Sequence, residues 1–288
     1  ILSAYAAKPI IVARNVDYQL VAKISTNSIH MPGVKVVEST KRVYPYGTTA
    51  AHIIGYMGKI NENDYETYVK QNGYSYDDYI GIYGVERTME DYLTGNGKYK
   101  CGSRELELDY YGNVLRELSY TPPQNGDNIV LTIDINMQKK LEEALAENIE
   151  RIAEEQLKEY NNKTEYYESL VAKRGGKEIQ FAKTGAAVVM DVNTGNILAM
   201  ASYPSFDPNL FANGISAEDY KALNEDPRNP LFNYAISSKG TPGSIFKMVM
   251  GVAGLTEGVI ASHEEIQDLG EYKKYVQDSG HRGPMCWI

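Results

Sequence analysis

The spacing of apolar and polar positions divides this chain into a strand-rich first part and a mixed second part. Apolar, β-branched runs at 10–13, 20–24 and 33–37 predict early strands, the last one after a Pro-Gly turn. Residues 61–71 predict a short helix capped by Asn61, with Gly73 just past its end. Residues 84–93 predict a second helix, closed by Gly95. The strand pattern returns at 104–108, 114–118 and 128–133. Between the last two, Pro122, Pro123 and Gly126 form the clearest break, which predicts one domain over 1–127 and another over 128–288.

The second domain opens on a long helix in which Leu141, Leu145, Ile149 and Ile152 form one apolar stripe. Glu142, Glu143, Glu147 and Glu150 fall off that stripe and read as a solvated face. Residues 161–179 are polar around Gly175 and Gly176 and read as a loop or insertion. Two apolar runs, 185–191 and 196–202, flank a turn at 192–195 and predict a hairpin. Both faces of that hairpin are apolar, which places it centrally under covering helices. A later helix beginning near Ser244 is its natural cover. The order strands, helix, buried hairpin, helix gives an α+β layered architecture.

Composition narrows the class. The chain has 288 residues, 43% hydrophobic and 23% charged, with a net charge of −9. That suits two globular domains and argues against a nucleic-acid partner. Tyrosine (24) far exceeds phenylalanine (5), which suits the half-exposed surfaces of a strand-rich protein. No apolar run is long enough to span a bilayer, and the opening at Ile1 has neither methionine nor a signal-peptide layout. The expectation is a piece of a longer protein whose anchor lies upstream. Two cysteines, Cys101 and Cys286, make no disulfide framework.

The strongest chemistry lies in PGSIFK at 242–247. Pro242 and Gly243 end an irregular run, and Ser244 stands in the first turn of an apolar helix with Lys247 one turn on, along the same face. A serine hydroxyl needs a base, and a desolvated lysine can serve as one. The unpaired N–H groups of the helix start favour negative charge at the same point. Strings of the form S-x-x-K are common on solvated helix faces, so spacing alone is weak. A helix this apolar is expected to be buried, and a lysine in a buried helix needs a reason.

Beyond spacing, the run GAAVVMDVNTGNILAMASYPSFDPN at 185–209 resembles the opening hairpin of a penicillin-binding transpeptidase domain. NYA at 233–235 followed by PGSIFK resembles that family's approach to its nucleophile. RVYPYG at 42–47, AAHIIGYMG at 50–58, GIYGVE at 81–86 and LTID at 131–134 resemble the membrane-proximal pedestal of class B members, of the elongation-type, PBP2-like kind, with a sporulation-specific relative as the other option. The resemblance implies a strand-rich, non-catalytic pedestal or dimerisation-type domain followed by a transpeptidase domain whose sheet is covered by helices. It implies that Ser244 attacks a stem peptide ending in D-Ala-D-Ala, that Lys247 takes its proton, that an amine of a neighbouring stem resolves the acyl-enzyme, and that β-lactams acylate the same serine. No cofactor is implied for acyl transfer. The implied setting is the outer face of the bacterial cell membrane, beside a membrane glycosyltransferase of the elongation machinery.

Two motifs of that family, S-x-N and K-[ST]-G, do not follow Lys247 within this chain, so the resemblance implies a catalytic domain incomplete at its C-terminal end. Ser25-Thr26-Asn27 and Lys183-Thr184-Gly185 match the strings but precede the nucleophile and are rejected. Asp278, His281 and Cys286 form D-x-x-H-x-x-x-x-C on a Gly- and Pro-bearing loop, a spacing that suits a structural zinc. Its rivals are a polar loop with a buried cysteine, and a Ser244–His281–Asp278 triad, disfavoured because Lys247 already supplies a base. Two other functions compete: a β-lactamase or β-lactam sensor with the same serine, which needs no pedestal, and a non-enzymatic scaffold or activator of a glycosyltransferase.

Overall fold

The computed structural model describes residues 12–271, apart from 32, 38–39, 96–101, 111–113, 213 and 266. The chain divides into two compact units, 1–238 and 239–288.

Tyr18–Thr26 (α1) is a helix, not the strand expected over 20–24. Asp17 accepts the Leu20 N–H at 2.6 Å and so caps the first turn. Leu20, Val21 and Ile24 suit a helical period as well as a strand, and the cap decides between them. Residues 33–37 also carry no strand. Of the run 10–13, residues 10 and 11 lie outside the described residues and the other two are irregular.

A compact core follows. Ala51–Ile54 (α2) leads into Met57–Lys59 (β1), which pairs antiparallel with Tyr79–Gly81 (β2). Between the strands, Asn61 caps a turn by accepting from the N–H groups of Asn63 and Asp64, and the helical segment itself is the π-turn Glu66–Gln71. Ile60, Tyr74 and Ile80 are buried together beneath Tyr68 and Val69. The helix expected over 84–93 is broken at Met89 into Gly84–Thr88 (α3) and Glu90–Leu93 (α4). Two buried carboxylates sit at that break. Glu86 accepts from Arg42 and from the Tyr44 hydroxyl, while Glu90 accepts from the Tyr74 hydroxyl and the Gly81 N–H. Gly55 and Gly84 let two backbones touch: both have positive φ, 83° and 62°, and a Cβ on Gly55 would stand 1.9 Å from the Tyr83 carbonyl oxygen.

The strands expected at 104–108 and 114–118 form as Ser103–Leu108 (β3) and Val114–Thr121 (β4); they pair antiparallel, and Arg104 and Arg116 meet Glu117 and Glu107 across the ladder. The strand expected over 128–133 does not form. Its end is tethered to the later hairpin instead: the Thr132 hydroxyl donates to the Ile197 carbonyl at 2.6 Å and the Asp134 N–H to Leu198 at 2.9 Å. Asp134 then turns the chain into a helix by accepting from the Asn136 and Met137 N–H groups.

That helix, Ile135–Asn162 (α5), carries the predicted stripe. The expected loop after it is another helix, Thr164–Lys173 (α6). Tyr160 stacks on Tyr167 and meets Phe181 edge-on, aromatic contacts that the polar character of the segment concealed. Gly185–Met190 (β5) and Ile197–Tyr203 (β6) form the predicted hairpin, with Gly185 opposite Tyr203. Helix α5 lies on one face, where Ile149 comes so near Gly185 that a Cβ there would be 2.8 Å from it. On the other face Val188 and Met190 are about half exposed. Ala217–Glu225 (α7) and the single turn Tyr234–Ser237 (α8) complete this unit. Phe206, Phe211 and Ala51 form its second core, with Tyr56 stacked on Phe211 at 4.0 Å.

The second unit holds a 3-10 turn, Gly243–Ile245, running into the helix Phe246–Thr256 (α9). Among the described residues no helix is long and apolar enough to cross a membrane.

Candidate active site

Ser244 stands in the 3-10 turn and Lys247 is the second residue of α9, so the pair brackets the start of that helix. Gly243 has φ +56°, a left-handed conformation that glycine adopts without strain, and Pro242 precedes it at φ −66°. The turn and the proline together aim the chain into the helix at the serine. Both side chains are exposed. The expectation that α9 is buried is not met: it has no buried residue, and Met248, Val249 and Val252 are more than half exposed. Apolar composition implies burial only where packing partners are at hand, and in its own unit α9 packs Gly254 on Ile260.

Asp278, His281 and Cys286 lie outside the described residues, as does Cys101. The zinc loop and the rival triad share that position. Among the described residues no group of three or more His, Cys, Asp or Glu side chains could hold a metal ion. His30 and His263 are exposed.

A buried polar chain lies upstream of the serine. Asn233 is 2% exposed. Its Nδ2 donates to the His52 carbonyl at 3.2 Å, and its Oδ1 accepts from the Ser202 hydroxyl at 3.0 Å and from the Ala235 N–H at 3.1 Å. Ser202 also accepts the Ala235 N–H at 3.1 Å. His52 Nε2 bonds the Pro230 carbonyl at 2.7 Å, and its ring meets Phe206 edge-on. Burial pushes this imidazole below its ordinary pKa, against the opposing pull of the Pro230 carbonyl. The neutral ring therefore donates from Nε2. These bonds join α2, β6 and the start of α8.

A second set fastens the same face. Gln138 is fully buried and pairs both of its amide groups with Met200, donating to the carbonyl at 2.8 Å and accepting the N–H at 2.8 Å. Glu142 accepts from Gln138 at 2.6 Å and from the Ala50 N–H at 2.8 Å. Burial raises its pKa, partly offset by those two bonds. Glu142 is thus an inward anchor, which corrects its expected place on a solvated face. Gln138 carries no expected role, Glu142 is expected on a solvated face, and Asn233 is expected only as part of the approach to the nucleophile. Gln138 and Glu142 are spaced i, i+4 along the edge of the Leu141–Leu145–Ile149 stripe, which lets them meet but does not by itself show that they are buried.

Comparison with known proteins adds to this geometry. Residues 3–131 match the Penicillin-binding Protein dimerisation domain, and residues 185–283 match the Penicillin binding protein transpeptidase domain. The chain is 34% identical over 279 residues to the peptidoglycan D,D-transpeptidase MrdA of Escherichia coli K12, covering 96% of this chain and 38% of that protein. The Pseudomonas aeruginosa PBP2 solved with WCK 5153 is 28% identical with a TM-score of 0.58, over 86% of this chain and 42% of that one. The Helicobacter pylori PBP2 solved as a complex with MreC shares the fold, with a TM-score of 0.64 at 23% identity, over 96% of this chain and 43% of that one. The chain thus spans about two fifths of the length of these relatives.

Proposed function

Because this chain belongs to the class B, PBP2-like penicillin-binding proteins, we propose that the whole protein is a serine-type peptidoglycan D,D-transpeptidase. The observation that carries this reading is the placement of Ser244 and Lys247 at the start of α9, inside the segment that matches the transpeptidase domain. Ser244 Oγ attacks the penultimate carbonyl of a D-Ala-D-Ala stem as Lys247 takes its proton. The N–H groups of the helix start favour the developing negative charge. The terminal D-alanine leaves, and an amine of a second stem resolves the ester to form the cross-link. β-Lactams acylate the same oxygen.

Residues 1–127 are assigned the pedestal role and residues 128–288 the opening part of the transpeptidase domain; the order of the two matches, 3–131 and then 185–283, supports this two-part arrangement, though not the exact boundary. A place at the outer face of the bacterial membrane beside a membrane glycosyltransferase rests on the resemblance of the pedestal motifs. A structural zinc at Asp278, His281 and Cys286 rests on spacing alone; one metal equivalent per protein, lost in Cys286→Ser, supports it, and a metal-free wild type ends it.

Mass spectrometry of the full-length protein after penicillin treatment tests the main reading. A long-lived adduct on Ser244, absent in Ser244→Ala, is expected. Rapid release would turn the reading to a β-lactamase, and no adduct on folded protein would leave a scaffold.

A further inference from the structure

The nucleophile turn is entered through one residue with a left-handed backbone. Gly243 has φ +56°, and a Cβ added there would meet nothing within 4 Å among the described residues. Space therefore does not call for glycine at this position. The backbone does, because a left-handed conformation is costly for a residue with an L side chain. From Gly243 the chain makes the 3-10 turn Gly243–Ile245, closed by the Phe246 N–H donating to the Gly243 carbonyl. Ile245 (φ −61°, ψ −33°) and Phe246 (φ −65°, ψ −20°) carry that turn into α9. In a 3-10 turn residues three apart lie in line, whereas an α-helix offsets them by about 60°. Ser244 and Lys247 are three apart, with only Ile245 and Phe246 between them. Starting the tight turn at Gly243 thus favours alignment of the hydroxyl-bearing residue with the amine-bearing one.

We infer that Gly243 is a positioning residue for the acylation of Ser244: its left-handed backbone starts the 3-10 turn that sets the nucleophile in line with Lys247. With no side chain of its own, Gly243 acts through Ser244. An L residue in its place favours other backbone conformations, so only a fraction of the molecules present the serine in register. The acylation rate falls by that fraction, and reaction rates drop steeply when a reacting group is misplaced. This inference rests on the transpeptidase reading.

The test uses full-length protein and a fluorescent penicillin, with acylation rates measured well below the thermal midpoint. Gly243→Ala is expected to slow acylation roughly five- to thirtyfold, the factor by which an L side chain disfavours a left-handed backbone. Gly243→Asn is expected to recover most of the rate, because asparagine visits that conformation more readily. Gly258→Ala is the control. Gly258 lies just past the other end of α9, has φ +67° and also meets nothing within 4 Å, so its substitution brings the same strain into the same unit. Gly258→Ala is expected to lower the thermal midpoint about as much as Gly243→Ala and to acylate at the wild-type rate. Wild-type acylation by Gly243→Ala, equal slowing in Gly258→Ala, or no recovery in Gly243→Asn overturns the inference while leaving the enzyme reading intact. A wild-type protein that takes no label at Ser244 instead brings down the enzyme reading, and the inference with it.

Discussion

Asn209 holds the backbone of Tyr44 from both ends: its Oδ1 accepts the Tyr44 N–H at 2.9 Å and its Nδ2 donates to the Tyr44 carbonyl at 2.9 Å. The side-chain amide thus acts as a strand partner for a residue 165 positions earlier. It is itself oriented by Asp207, which accepts from its Nδ2 at 2.8 Å. Gln138 treats Met200 in the same way. Two amide side chains therefore supply backbone pairing where the chain has no strand to offer, satisfying polar groups that would be costly to bury alone.

Asn209→Asp keeps an acceptor for the Tyr44 N–H but loses the donor and sets a carboxylate against the Tyr44 carbonyl and the Asp207 carboxylate. It is expected to lower stability by about 1–3 kcal/mol, at least as much as Asn209→Ala. Equilibrium denaturation of the chain measures both. If Asn209→Asp matches wild type, the donor half of the clamp contributes nothing.

Glu142 separates charge from hydrogen bonding. Its Oε1 accepts from Ala50 and Gln138, and burial disfavours its ionised form. Ala50 sits at φ +57°, a left-handed conformation uncommon for a residue with a side chain, and its N–H points to this carboxylate. Glu142→Gln keeps the acceptor and removes the charge, so stability at pH 7 is expected to equal or exceed wild type. Glu142→Ala leaves two donors without their partner and is expected to cost about 1–3 kcal/mol. Thermal melts of the two variants give the comparison, and a loss in Glu142→Gln as large as in Glu142→Ala would show that the charge itself is needed.

The fold was legible where pattern and chemistry agree. The hairpin of β5 and β6, the strands β3 and β4 and the α5 stripe follow directly from apolar spacing, and the β5–β6 turn from its turn residues. Periodicity failed at α1, where a single Asp17 cap overrode a strand-like run, and at residues 128–133, where a tether to Ile197 and Leu198 replaced a ladder. The serine and lysine stand out in the sequence because their spacing is local, and their catalytic role is a proposal. The amides and the carboxylate that hold the surrounding backbone do not stand out, since their partners lie far off in sequence: 62 positions for Gln138, 92 for Glu142, 165 for Asn209 and 181 for Asn233. A buried Asn or Gln has no sequence signature until the backbone it pairs with is in place.

His52 makes stability depend on pH in a direction opposite to Glu142. Its folded pKa lies below the ordinary imidazole value because burial disfavours the charged ring. In the window below about pH 6.5 the unfolded chain therefore binds a proton that the folded chain refuses. The contribution of the neutral ring is complete above that pH and is lost as pH falls through it. Glu142 and Glu90, whose pKa values burial raises, work the other way and gain as pH falls. The His52 component is isolated by difference. Melts of wild type and His52→Gln between pH 8 and pH 5 are expected to run parallel at the alkaline end, with wild type falling further as the solution is acidified. Parallel curves throughout would mean that the buried ring takes up its proton without disturbing the Pro230 bond.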